Sequence, residues 1–154
     1  MSIPNATLCS TLRLPSTVGE MTQAWHAFEQ FASRHLRKLG LTPAQFSVLS
    51  ALAAAPVLSC KALSERTGIT KGSLTGIVDR LQQNGLTLRI TSQEDRRSHL
   101  VHLTDEGRAT FERVAGKHFA HLQQAFEGVD RDELADIEAG FRRFRQLIDH
   151  VNHF

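Results

Sequence analysis

The chain has 154 residues, of which 41% are hydrophobic and 22% charged, and a formal net charge of +2. That is enough for one domain, or one domain with flanking helices, around a real core, and it leaves any polyanionic partner to be decided by where the charge sits. The longest apolar run, VLSALAAAPVL, is too short and interrupted to cross a bilayer, and MSIPNATLCSTLRLPS lacks the layout of a secretion signal.

Residues 1–15 are polar, hold Pro4 and Pro15 and show no period, which predicts an arm. From Val18 the apolar positions are Met21, Trp25, Phe28, Ala32, His35 and Leu39. Their steps of three and four predict one helical stripe, with Gly40 as its stop. LTPAQFSVLSAL opens a second helix, with Thr42 as cap, Pro43 in the first turn, Gln45 completing a capping box and Pro56 closing it. A short third helix fits Ser59 to Thr67, capped by Ser59 and stopped by Gly68. A fourth starts at Thr70, turns Leu74, Ile77, Val78 and Leu81 inward, and ends at the Asn84–Gly85 pair.

LTLRIT and HLVHL then read as strands flanking a polar tip, and neither alternates cleanly enough to set its register. Thr104, Asp105 and Glu106 suit the positive end of a long helix running to about Phe126. Asp130 and Glu133 form a further capping box. The last helix carries Leu134, Ile137, Phe141, Phe144, Ile148 and Val151 in an unbroken apolar seam. The fold class that results is mainly α with a small β-hairpin.

Two short helices joined by TGIT, followed directly by a hairpin, make a winged helix-turn-helix. Reading DNA requires an exposed helix whose early residues are small, polar or basic, so that the backbone can approach base edges. TKGSLTG, residues 70–76, has that composition. Lys71 suits a phosphate, Ser73 and Thr75 suit base edges or phosphates, Gly72 and Gly76 leave room, and Arg80 suits the backbone. Residues 61–100 hold seven Lys or Arg against four Asp or Glu, whereas residues 128–154 hold four against six. The positive excess therefore lies on the segment that would face a polyanion. In TSQEDRRSHLVHLT, Arg97 is placed to enter a minor groove, Asp95 to orient its guanidinium and Arg96 to meet a phosphate. Taken alone, EDRR reads as a solvated turn; behind a helix-turn-helix it reads as a DNA contact.

Together, GLTPAQFSVLSAL, ALSERTGITKGSLTGIVDRLQQNGL and DRRSHLVHLTDEGR resemble the MarR family of winged helix-turn-helix transcription regulators, closely over residues 40–110. The family's wing pattern, Asp-x-Arg followed by a strand ending in Leu-Thr, falls on Asp95, Arg97, Leu103 and Thr104. The resemblance implies a homodimer held by residues 16–40 and 104–154, with residues 41–103 as the DNA-binding part. It also implies a pseudo-palindromic double-stranded DNA operator and release by a small ligand or an oxidant. Position 76, often arginine in the family, is glycine here, which shifts weight to the wing and the backbone.

The terminal apolar seams read as a dimer interface more readily than as a cofactor box. A small aromatic or phenolic effector would meet Trp25, His26, Phe28 and Phe46 where the first, second and fifth helices come together. The eight histidines lack structural zinc spacing, and His35 and His118 continue apolar stripes, so they are expected to be buried and hydrogen-bonded, with no metal site. Cys9 and Cys60 form no disulfide framework, which makes a reduced cytoplasmic location the default. Some relatives sense peroxides through a cysteine near the first helix, but only Arg13 stands near Cys9 to activate it. Cys60, at a helix start, is expected to pack. Redox or metal sensing on the same fold is the alternative within this class, and a winged-helix module that binds protein is the alternative outside it. No nucleophile–base motif, phosphate loop or HExxH is present, so no enzyme, cofactor or membrane partner is expected.

Overall fold

The computed structural model describes residues 14–91 and 99–152, and the side chains of 15–90 and 100–151. Among them are six helices and three strands in the order α1 (Leu14–Lys38), α2 (Pro43–Ala54), β1 (Val57–Ser59), α3 (Cys60–Thr67), α4 (Lys71–Gln83), β2 (Thr87–Thr91), β3 (His99–Leu103), α5 (Asp105–Gln124) and α6 (Arg131–Asn152). The chain divides into two units, one up to Phe119 and one from Ala120 onward. No helix among the described residues is long and apolar enough to cross a membrane.

Local chemistry sets most boundaries. The Thr42 hydroxyl accepts from Gln45 N at 3.2 Å while Thr42 N donates to Gln45 Oε1 at 2.9 Å, so the expected capping box is formed. The Ser59 hydroxyl accepts from Ala62 N at 3.1 Å, and α3 ends at Gly68 in the left-handed region, φ 69°. The Thr104 hydroxyl accepts from Gly107 N at 2.9 Å to start α5. Asp130 accepts from Glu133 N at 2.8 Å at the head of α6. The first helix starts earlier than expected, at Leu14, because Pro15 has no N–H to lose and fits a first helical turn. Of the arm expected over residues 1–15, residues 1–13, with Cys9, lie outside the described residues.

The core of the first unit is built from side chains that vanish from solvent: Leu49 and Leu52 of α2, Leu63 of α3, Leu74, Val78 and Leu81 of α4, and Val101 of β3. Leu36 and Val114 join them from α1 and α5. Cys60 packs partly buried against this core.

A third strand was not expected from the sequence. β1 is only three residues long, too short to show a period, yet it completes an antiparallel sheet of order β1-β3-β2. The register puts Leu58, Val101 and Arg89 in one cross-strand row, and Val57, His102 and Leu88 in the next. Leu58 and Val101 are buried, while Val57 and Leu88 are about half exposed, so the Leu58 row is the inner face. On β2 that face carries polar residues, Thr87 and Arg89, and the outer face carries Leu88 and Ile90. This inversion is why the strand's register could not be read from its apolar residues.

A second unforeseen feature joins α5 to the end of α4. A Cβ on Gly107 would lie 2.8 Å from the carbonyl carbon of Leu86, and closer still to its oxygen. Across the same junction Thr104 N donates to Leu86 O at 3.2 Å, and the Thr104 hydroxyl donates to Gly85 O at 2.6 Å.

Candidate nucleic-acid interface

Helix α4 presents two opposite faces. Leu74, Val78 and Leu81 are fully buried, while Lys71, Gly72, Ser73, Thr75, Gly76 and Arg80 are all exposed. Its start is held by Thr70, whose hydroxyl accepts from Ser73 N at 3.4 Å and donates to Ser73 Oγ at 3.1 Å. Ser73 therefore keeps its own O–H available to an outside acceptor. The Thr75 hydroxyl donates to Lys71 O at 3.1 Å and keeps lone pairs free to accept. The guanidinium of Arg80 and the ammonium of Lys71 make no hydrogen bond or ion pair among the described residues.

The two glycines of this face have no internal reason to be glycine. A Cβ at Gly72 or Gly76 would meet nothing within 4 Å, and neither has a positive φ. In the helix interior Gly76 costs about 1 kcal/mol against alanine, and Gly72, in the first turn, costs less. A helix start kept smooth at that cost, beside a free lysine and two hydroxyls, suits close approach by a large partner.

The wing rises beside this helix. β2 and β3 pair as far as Thr91 with His99. Asp95, Arg96 and Arg97, assigned from the sequence to the wing tip, lie outside the described residues. Sequence reasoning missed Arg89. Its Nη1 stands 2.6 Å from Asp79 Oδ1, and its Nη2 donates to Thr75 O at 3.3 Å, so the wing strand is joined to the middle of α4. The only signal was an arginine inside an otherwise β-favouring strand.

The residues assigned to an effector are not gathered into one site. Trp25 and Phe28 pair with each other on α1, ring centroids 6.3 Å apart, and both are exposed, as is His26. Phe46 instead packs against Phe111 at 5.7 Å, His118 at 5.3 Å and Phe119 at 6.5 Å. Residues three apart on one helix share a face, and that spacing brings Trp25 to Phe28. Phe46 also borders an open groove of about 480 Å³ with Ser47, Ser50, Arg66 and Thr67. His35 and His118 are stacked, with Nδ1 atoms 3.2 Å apart and His118 buried, as the apolar stripes implied. Among the described residues no group of three or more His, Cys, Asp or Glu comes together to hold a metal.

Comparison with known proteins agrees with this geometry. The MarR family profile matches residues 39–98. The transcriptional repressor CouR, solved bound to a 23-mer DNA duplex, is 31% identical and superposes with a TM-score of 0.76 over 86% of this chain and 95% of its own. BpsR of Bordetella bronchiseptica, solved to explain regulation of its DNA binding by 6-hydroxynicotinic acid, is 27% identical, with a TM-score of 0.74 over 82% of this chain and 91% of its own. The homoprotocatechuate degradative operon repressor of Escherichia coli is 28% identical over 75% of this chain and 76% of its own.

Proposed function

The chain belongs to the MarR family of DNA-binding transcription regulators, and from that premise we propose that it is a homodimeric repressor of a pseudo-palindromic operator, released by a small aromatic or phenolic effector. Members of the family regulate transcription and are not enzymes, and the chain is a regulator of that kind.

The observation that carries the DNA reading is the outer face of α4, smooth at Gly72 and Gly76 and supplied with Lys71, Ser73, Thr75 and Arg80. In the major groove that face meets base edges and phosphates, while Arg97 enters the neighbouring minor groove, oriented by Asp95, and Arg96 takes a phosphate. With glycine at position 76, hydroxyls and the wing carry more of the readout than a long side chain from the helix.

Dimerisation is supported by the second unit. On α6, Leu134, Ile137, Phe141, Leu147, Ile148 and Val151 are all exposed, although they follow an apolar seam. A face of this kind is covered in a working protein, and a second copy of the same seam is its natural complement. A twofold pair places two reading heads on successive major-groove faces, roughly 34–36 Å apart.

Repression is supported by the names of the relatives, and a small effector by the regulation of BpsR. The groove beside Phe46 is the place for such a molecule, since an aromatic wall, two hydroxyl-bearing serines and Arg66 line it. Such an effector changes the angle or spacing of the heads, so that both no longer fit at once. The protein acts in the cytoplasm, where its DNA is.

Selection of bound duplexes from a random pool, repeated with phenolic ligands, tests this reading. It predicts enrichment of an inverted repeat, loss of enrichment with an effective ligand, and affinity that falls steeply with salt as phosphate contacts release counterions. Failure to enrich any duplex, together with a flat salt dependence, would reject it.

A further inference from the structure

Arg89 is an odd residue for its position. It lies on the inner face of the edge strand β2, in the row with buried Leu58 and Val101, where an apolar side chain would pack at least as well. Its Nε is buried with no hydrogen-bond partner among the described residues, so the position carries a desolvation cost. The ion pair it makes with Asp79 is partly open to water, the two side chains being 24% and 46% exposed, and such pairs add little to stability. Stability does not account for this arginine.

Geometry does. Thr75 and Asp79 are four apart on α4, and a helical carbonyl points at the N–H four residues on, so the Thr75 carbonyl oxygen and the Asp79 carboxylate are neighbouring acceptors on one face. The guanidinium is a rigid planar fork, and it bridges the two, Nη1 to Asp79 Oδ1 at 2.6 Å and Nη2 to Thr75 O at 3.3 Å. One contact would leave the guanidinium free to pivot; two neighbouring contacts fix its direction and so tie β2 to one place on the α4 face. Thr75 and its neighbours Lys71 and Ser73 stand on the same helix start that faces outward, and β2 leads to the wing tip. Each terminal nitrogen commits one of its two N–H donors to α4, which directs the guanidinium toward the helix.

We propose that Arg89 and Asp79 are positioning residues that fix the angle between the recognition helix and the wing, and through it the discrimination of operator from other DNA. Neither touches DNA. A helix and a wing held at one angle meet the major and minor grooves of a single DNA shape together. A loose pair meets them in turn and loses the advantage of the right sequence.

This rests on the DNA-binding reading, and the experiment separates the two. Using the full chain and a duplex selected by the wild type, affinities for that duplex and for an unrelated one are measured for Arg89→Ala, Asp79→Ala and the double variant. Arg89→Lys and Asp79→Asn serve as conservative forms should an alanine variant fail to fold. We expect each single variant to lose about tenfold to a hundredfold on the selected duplex, to change less than about threefold on the unrelated one, and the double variant to lose no more than the worse single. The salt slope should equal that of the wild type, because no phosphate contact is removed. Asp79→Ala decides most sharply: if Arg89 were a phosphate contact restrained by Asp79, freeing it would tighten binding, and that result overturns the proposal. Wild-type discrimination in both single variants overturns it too. Selection of no duplex by the wild type would overturn the DNA-binding reading and this proposal with it.

Discussion

Replacing Gly107 with alanine should destabilise the protein, although alanine is the better helix former. Gly107 lies in the first turn of α5, where the exchange would ordinarily gain at most about 1 kcal/mol. Here the new Cβ would stand 2.8 Å from the carbonyl carbon of Leu86 and nearer to its oxygen, a backbone group that cannot rotate away. Relieving that overlap costs roughly 1–3 kcal/mol. It also moves the junction held by Thr104 N to Leu86 O and by the Thr104 hydroxyl to Gly85 O, each worth about 1 kcal/mol. Set against the helix gain, the net loss is roughly 2–4 kcal/mol, or about 5–15 °C in Tm for a chain of this size. Gly76→Ala is the control, since its Cβ meets nothing within 4 Å on an exposed helix. That change should stabilise by about 0.5–1 kcal/mol. Urea unfolding followed by far-ultraviolet circular dichroism, at one fixed protomer concentration, reads both. A Gly107→Ala protein as stable as the wild type, or a Gly76→Ala protein equally damaged, would refute the argument.

Two further outcomes are expected. Arg97→Ala should weaken operator binding by about 1–3 kcal/mol with the oligomeric state unchanged; an unaltered titration would remove Arg97 from the minor groove. Phe141→Asp places a charge in the middle of the exposed α6 seam and should shift sedimentation to the monomer, at a cost of about 2 kcal/mol or more, with operator affinity falling alongside. A dimer that survives the change would move the interface elsewhere.

The helix boundaries were legible because they depend on neighbours in sequence. Thr42 with Gln45, Ser59 with Ala62 and Thr104 with Gly107 satisfy orphan backbone donors within one turn, so residue type and spacing suffice to find them. The buried stripe of α4 and its small, polar outer face followed from the same helical period. The match of those segments to MarR-family sequences carried the family, and with it the reading of function.

What only the tertiary structure decided depends on distance in sequence. β1 became a strand because β3 was there to pair with it, and β2 turned Thr87 and Arg89 inward because Val101 and Leu58 fixed the face. Phe46 joined Phe111 and His118 through the packing of α2 on α5. Arg89 met Asp79 and Thr75 across a turn whose closure no local pattern encodes. Local hydrogen bonds and periodicity are properties of short windows and can be read there. Which faces meet is settled only when the whole core closes, because every side chain competes for the same buried volume.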